Sequence, residues 1–262
     1  MVPSPLLEFF KRGDVARDVR LLAAQGGLAP RAHEQLAILV LLLDDPDPEI
    51  RCAADETLNR IPVEALSAFL GRSDVSLDMR EFFGARGVFP SGEPADPADD
   101  SLIDTDPEGD LGPLGDALTG DEASRDTAVQ QLGKMGFTER LKAALKGSRE
   151  MRTILVRDPN KMIAAAVLSS PKLTGPEVEA IARMTSVSEE VLRTVGGNRA
   201  WMKNYQVVVG LTKNPKTPLA MSLNLLNRLV DRDLAMLSTD RNVPEPLRVA
   251  ARKRVVAGTS HR

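Results

Sequence analysis

The stretch Leu211–Leu226, LTKNPKTPLAMSLNLL, sets two prolines three residues apart in a polar turn and follows them at once with an apolar run. Proline has no N–H and a fixed φ, so it is cheap at a helix's first position and disruptive within one. The residue before a proline is pushed out of the α region, so Asn214-Pro215 is predicted to end one helix. Thr217 then reads as the N-cap of the next helix and Pro218 as its first residue. Behind the turn, Leu219, Leu223 and Leu226 recur at i, i+4 and i+7, one face of a helix.

Looser copies of this turn occur on both sides. RDPNKMIAAAVL (157–168) uses Asp158-Pro159-Asn160 as its entry, and TDRNVPEPLRVAA (239–251) uses Pro244 and Pro246, with Glu245 well placed against the helix dipole. Helix starts are expected near Asn160, Thr174, Ser188, Arg199, Thr217, Asp231 and Val243, at gaps of 14, 14, 11, 18, 14 and 12 residues. Each gap suits a helix of two to three turns plus a tight turn. Pairs of helices give a unit of roughly 25–30 residues, in the range of helical solenoids. Further starts are expected near Asp14, Ala29-Pro30, Asp47-Pro48, Ile61-Pro62 and Asp74–Ser76. The glycine pairs in AQGGLAP and TVGGNRA follow helical runs with no strand before them, so both are read as helix C-caps and not as phosphate loops.

NPKTPLAMSLNLL, followed by DRDLAMLSTDRNVPEPLRVAARKR, resembles the leucine-rich repeat variant of bacteria. Asn214, Pro215, Thr217, Pro218, Leu223 and Leu226 match that repeat, and Leu247-Arg248 resembles the Leu/Val-Arg pair of the next unit. DDPDPEIRCAADETL is similar to the HEAT-like form, with Ile50-Arg51 at the pair. The resemblance covers about 150–262 well and 30–85 less closely, and it is absent between them. It implies a right-handed α-solenoid of short helix pairs that works by binding. Some relatives carry an N-terminal cysteine cluster for an iron–sulfur centre; this chain has only Cys52, so that feature does not carry over.

Composition agrees with an all-α chain: 42% hydrophobic residues, 27% charged and only 3% aromatic, with one Trp and one Tyr among 262 residues. Charge is uneven. Residues 1–86 hold 10 basic and 14 acidic side chains, 87–120 hold none and 9, and 121–262 hold 24 and 14. The acidic Pro/Gly/Asp-rich stretch Val88–Asp116 has too little apolar surface to offset its ordering entropy. Three parts are therefore expected: an N-terminal HEAT-like segment (1–87), an acidic disordered linker (88–120) and a C-terminal repeat solenoid (121–262). SLID (101–104) within the linker is a candidate for transient docking as a short helix. The lone cysteine excludes an internal disulfide framework and fits a reducing compartment. In MVPSPLLEFFKRGD the basic pair follows a short apolar run, the reverse of a secretory signal. LAILVLLL (36–43) is too short to span a bilayer and reads as a buried helix. A cytoplasmic protein without a membrane partner is expected.

No catalytic constellation stands out. The two histidines, His33 and His261, are far apart, and there is no cysteine pair, Gly-x-Ser-x-Gly or P-loop. The chain is therefore expected not to be an enzyme and to need no cofactor or metal. Its binding candidates lie in NRAWMKNYQVVVGLTKNPK and on the last helix. Trp201 and Tyr205, four apart, are expected on one helix face beside Arg199, Lys203, Lys213 and Lys216. They read either as fillers of the seam between repeats or as a stacking surface. Arg248 and Arg252 read either as the polar face of a capping helix or as an anion-binding end. The favoured function is a scaffold or interaction module for a protein partner of unknown identity. The alternative is nucleic-acid or other polyanion binding by the basic C-terminal half. A third reading lets the acidic Asp96–Asp110 mask that basic surface.

Overall fold

A computed structural model describes residues 5–28, 31–91, 102 and 122–259, without the side chains of 122–127 and 258–259. Among the described residues there are sixteen α-helices, two 3₁₀ turns and no strand, so the chain is all-α. It divides into two units, residues 3–152 with 169–172 and residues 153–168 with 173–262; the division falls inside one helix, between Arg152 and Thr153. Most of the expected acidic linker lies outside the described residues. At its start, the N–H of Val88 donates to the Phe83 carbonyl and that of Ser91 to the Ser67 carbonyl. Within it, Leu102 lies in a bend and its N–H donates to Gln35 Oε1 at 2.9 Å.

The first unit opens with α1 (Pro5–Arg12), α2 (Arg17–Ala24), α3 (Ala32–Leu42), α4 (Pro48–Arg60), α5 (Val63–Leu70) and α6 (Leu77–Ala85). The apolar run at 36–43 lies largely in α3, where Leu36, Ile38, Leu39 and Leu42 are buried and α1, α2 and α4 pack around it. Fully burying each such side chain contributes about 1.5–3 kcal/mol. Helix α2 ends as expected of its glycine pair. Gly26 takes φ 82°, its N–H reaches Ala23 O, and the Gly27 N–H reaches Leu22 O, which is a Schellman ending. The DDPDPEIR segment closes the next turn. Asp47 caps α4 by accepting from the Glu49 N–H, Pro48 takes the first helical position, and Arg17 and Arg20 of α2 pair with Asp47 and Asp45. Ile50 is fully buried, while Arg51 donates to the Asp45 carbonyl at 2.7 Å. Helices α7 (Glu122–Lys134) and α8 (Phe137–Lys146) follow, and α9 (Arg149–Leu155) begins here. Buried Arg152 donates to the Gly147 and Lys172 carbonyls, and Ser170 donates to the Leu145 carbonyl.

The second unit is built from α10 (Lys161–Ser169), α11 (Gly175–Arg183), α12 (Glu189–Gly197), α13 (Tyr205–Lys213), α14 (Leu219–Leu225), α15 (Asp231–Thr239) and α16 (Glu245–Thr259); Ser169, at the end of α10, is grouped with the first unit. Each of α11, α13 and α15 is followed by the same five-residue turn, at 184–188, 214–218 and 240–244. The residues that end these helices, Met184, Asn214 and Asp240, have nearly equal dihedrals: φ −71°, −77° and −70°, and ψ 122°, 121° and 118°. The fourth position of each turn, Val187, Thr217 or Val243, is buried. Helices pack both on the next in sequence and on the next but one: α11 on α12 and α13, α13 on α14, and α14 and α15 on α16.

Local expectations need correction at four places. Thr217 does not cap α14; it is buried with its hydroxyl unpartnered, Pro218 takes the cap position and the helix starts at Leu219. The shared turn requires an inward residue at its fourth position, and that geometry overrides the capping preference. Leu219 is partly exposed, and the inward stripe of α14 is Ser222 and Leu225, continued by Leu226 in a 3₁₀ turn (226–228). Leu226 joins Leu234, Leu237, Val243, Leu247 and Ala251 in the core of this end of the unit. Gly196 and Gly197 are not a C-cap but the last turn of α12, and neither has a positive φ. A Cβ on Gly196 would lie 2.4 Å from Met221 Sδ, so the missing side chain leaves room for the Met221 side chain of α14. Finally, Trp201 and Tyr205 do not share a helix face. Asn198 Oδ1 accepts from the Ala200 and Trp201 N–H groups and Asn204 caps α13 through the Gln206 N–H, which leaves Trp201 in a separate 3₁₀ turn (201–203).

Candidate functional site: a groove across three helices

Asn214, from the opening stretch, shows how α13 is held against α11. Its carboxamide donates to the Ala182 and Met184 carbonyls, each at 2.9 Å, and its Oδ1 accepts from the Lys216 N–H. At the start of α13, Asn204 donates to Glu179, midway along α11, at 2.7 Å. The earlier residue of α13 meets the earlier residue of α11 and the later meets the later, so the two helices run in the same direction. Between these ties Gly210 allows the closest approach: a Cβ there would lie 3.1 Å from Ala182 Cβ and 3.2 Å from Arg183 Cγ.

The opposite flank of α13 is different. Tyr205, the first residue of α13, donates its hydroxyl proton to Asp233 in the first turn of α15 and accepts from the Val230 N–H at 3.2 Å. Burial and the hydrogen bond to Asp233 hold the Tyr205 phenol above its ordinary pKa, against the opposing pull of the Val230 N–H. Beyond this tie the space between the helices opens into a groove of about 520 Å³, within the range of about 300–1,000 Å³ common for ligand clefts. Val209, Gly210 and Gln206 of α13 form its floor, with Lys213 at the end of that helix. Arg183 and Thr185 enter from the end of α11, and Asp233, Asp240 and Asn242 from α15 and its following turn. Asn214 and Pro215 complete the lining, so the opening turn borders the groove.

The cations lie on the α11–α13 side and the anions on the α15 side. Arg183 donates to Gln206 Oε1 at 2.8 Å, and Asp240 Oδ1 accepts from the Asn242 N–H at 2.9 Å. Among the described residues, no ion pair within 4.0 Å joins Arg183 or Lys213 to Asp233 or Asp240, and Lys213 has no partner. Opposite charges therefore face one groove without neutralising each other directly.

Of the residues singled out in the sequence, Lys213 lines the groove and Tyr205 ties its closed end. Trp201 is half-buried in its 3₁₀ turn, with Arg199 and Lys203 exposed around it. Lys216 is exposed and donates to the Val187 carbonyl at 3.3 Å. On α16, half-buried Arg248 pairs with Glu245, and exposed Arg252 reaches the Ser238 carbonyl at 3.4 Å. These last two stand apart from the groove lining. Arg183, Gln206, Asp233, Asp240 and Asn242 carried no local motif; their common signal is position, at or beside the ends of helices that recur every 25–30 residues.

Among the described residues no helix is long and apolar enough to cross a membrane. No protein-family model, curated protein or solved structure matches the chain.

Proposed function

We propose that the chain is a non-enzymatic interaction module, a stack of short helix pairs of the right-handed solenoid type that offers the α11–α13–α15 groove to a protein partner. The reuse of one turn at 184, 214 and 240, and the packing of helices on the next but one, support the repeat reading. The groove itself carries the functional reading. It crosses successive repeats, has an apolar and glycine floor, and leaves charged and amide groups unspent at its walls. Surfaces of this kind, with a few placed polar groups over a shaped floor, are what recognition requires.

The test is cross-linking of the tagged full chain to its cellular partners, in parallel with a Val209→Trp variant that fills the half-exposed floor. The expected result is a stoichiometric partner that cross-links at Lys213, rebinds when purified and is lost with the variant. Failure to recover any stoichiometric partner, together with turnover of a small molecule by the purified chain, sinks the reading.

A further inference from the structure

We propose that the groove reads an extended peptide in which one acidic and one basic side chain are separated by an odd number of positions. This inference rests on the interaction-module reading and adds the chemistry of the occupant. In an extended strand, successive side chains point to opposite sides. A Glu and a Lys at adjacent positions, or three apart, therefore face opposite walls; two apart, they face the same wall. Here the walls differ in sign. Arg183 and Lys213 stand on the α11–α13 side, and Asp233 and Asp240 on the α15 side.

The wall charges are incompletely used within the chain. Lys213 has no partner among the described residues, and Asp240 spends one oxygen on the Asn242 N–H. A ligand carrying both signs completes both walls, and one carrying a single sign is repelled by one of them. The rest of the groove suits a peptide backbone. Half-exposed Val209 leaves the floor apolar, while the Gln206 amide nitrogen and the Asn242 carboxamide make no hydrogen bond among the described residues. The first can donate to a peptide carbonyl and the second can both donate and accept. Gln206 is held by Arg183, so its amide nitrogen is oriented before a ligand arrives. The closed end at Tyr205 and Asp233 sets where the strand stops.

The experiment measures fluorescence anisotropy of the full chain with end-blocked, dye-labelled nonapeptides on a Ser/Thr background. One peptide holds Glu-Lys, a second Glu-Ser-Lys, a third Glu-Ser-Thr-Lys, and a fourth no charge. The expected result is at least tenfold tighter binding of the first and third than of the second and fourth, weakened by added salt. Lys213→Glu should cut the affinity of the first peptide at least tenfold and make a Lys-rich peptide the better ligand. Val209→Trp should abolish binding while leaving the helical circular dichroism intact. Equal affinity for odd and even spacing overturns the charge-reading inference, even where Val209→Trp removes binding. Binding unaffected by both substitutions places the peptide elsewhere and overturns it as well. Absence of binding by every peptide also overturns it; a cross-linked partner at Lys213 would then leave the interaction-module reading standing by itself.

Discussion

The two flanks of α13 use the same helix, the same turn and the same kind of neighbour, yet one is sealed and the other open. Toward α11, Gly210 brings the helices close and Asn214 spends both amide N–H donors on carbonyls at the end of that helix. Toward α15, the tie is the Tyr205 hydroxyl at the start, and the remaining space is the groove. A sealed flank fixes the orientation of α13, and that fixed helix then serves as the floor of the open one. The same residues serve both ends: Gly210 and Asn214, which hold α13 against α11, also line the groove.

Breaking the sealed flank has the largest expected effect. Asn214→Ala removes two buried donors and leaves the Ala182 and Met184 carbonyls without them, at a cost of about 2–4 kcal/mol. Urea unfolding should show the loss, with a lower midpoint.

Tyr205→Phe acts on the open flank and costs about 1 kcal/mol, because the exposed Val230 N–H can be solvated in its place. Hydrogen exchange should quicken in the first turn of α15 while α11 is unchanged. This tie also has a pH signature. The folded-state pKa of Tyr205 is raised, so the contribution is fully present at neutral pH and is lost as pH rises past the unfolded tyrosine value toward the folded one. Thermal unfolding between about pH 8 and pH 11 should fall less steeply in Tyr205→Phe than in the parent. Parallel slopes would break the assignment.

Thr217→Val sharpens the comparison in the opposite direction. The equivalent positions of the sister turns are Val187 and Val243, and Thr217 buries a hydroxyl without a partner. Replacement by the isosteric apolar side chain is expected to stabilise by about 1 kcal/mol, a rise of about 2–4 °C in Tm. The smallest effect is expected from Arg248→Glu with Arg252→Glu. These side chains are outside the groove lining, and the double substitution should change affinity for a groove ligand less than about twofold at physiological salt, where the Debye length is about 8 Å. A steep salt-dependent loss of oligonucleotide binding in the same variant would favour the polyanion alternative instead.

Reading the sequence worked where structure is set by neighbours along the chain. Pro48 at the start of α4, the Asp47 cap, the Gly26 ending of α2 and the stop before Pro215 are all consequences of local sterics and short-range hydrogen bonds. It failed by a residue or a turn where packing overrides propensity. Thr217 turns inward because the turn's fourth position is buried, and Gly196 stays helical with Met221 lying against it. The pairing of Trp201 with Tyr205 failed for a local reason, since Asn198 and Asn204 break the run.

By itself, the sequence determined an all-helical chain and the positions of most of its punctuation. Only the tertiary structure decided that Arg183 meets Gln206, that Tyr205 meets Asp233, and that both signs of charge line one groove. The physical reason is range. A proline or cap acts within one turn of helix, whereas these partners lie 23 and 28 residues apart. Their meeting depends on how α13 is wedged between its neighbours, at Gly210 on one side and at a single hydroxyl on the other.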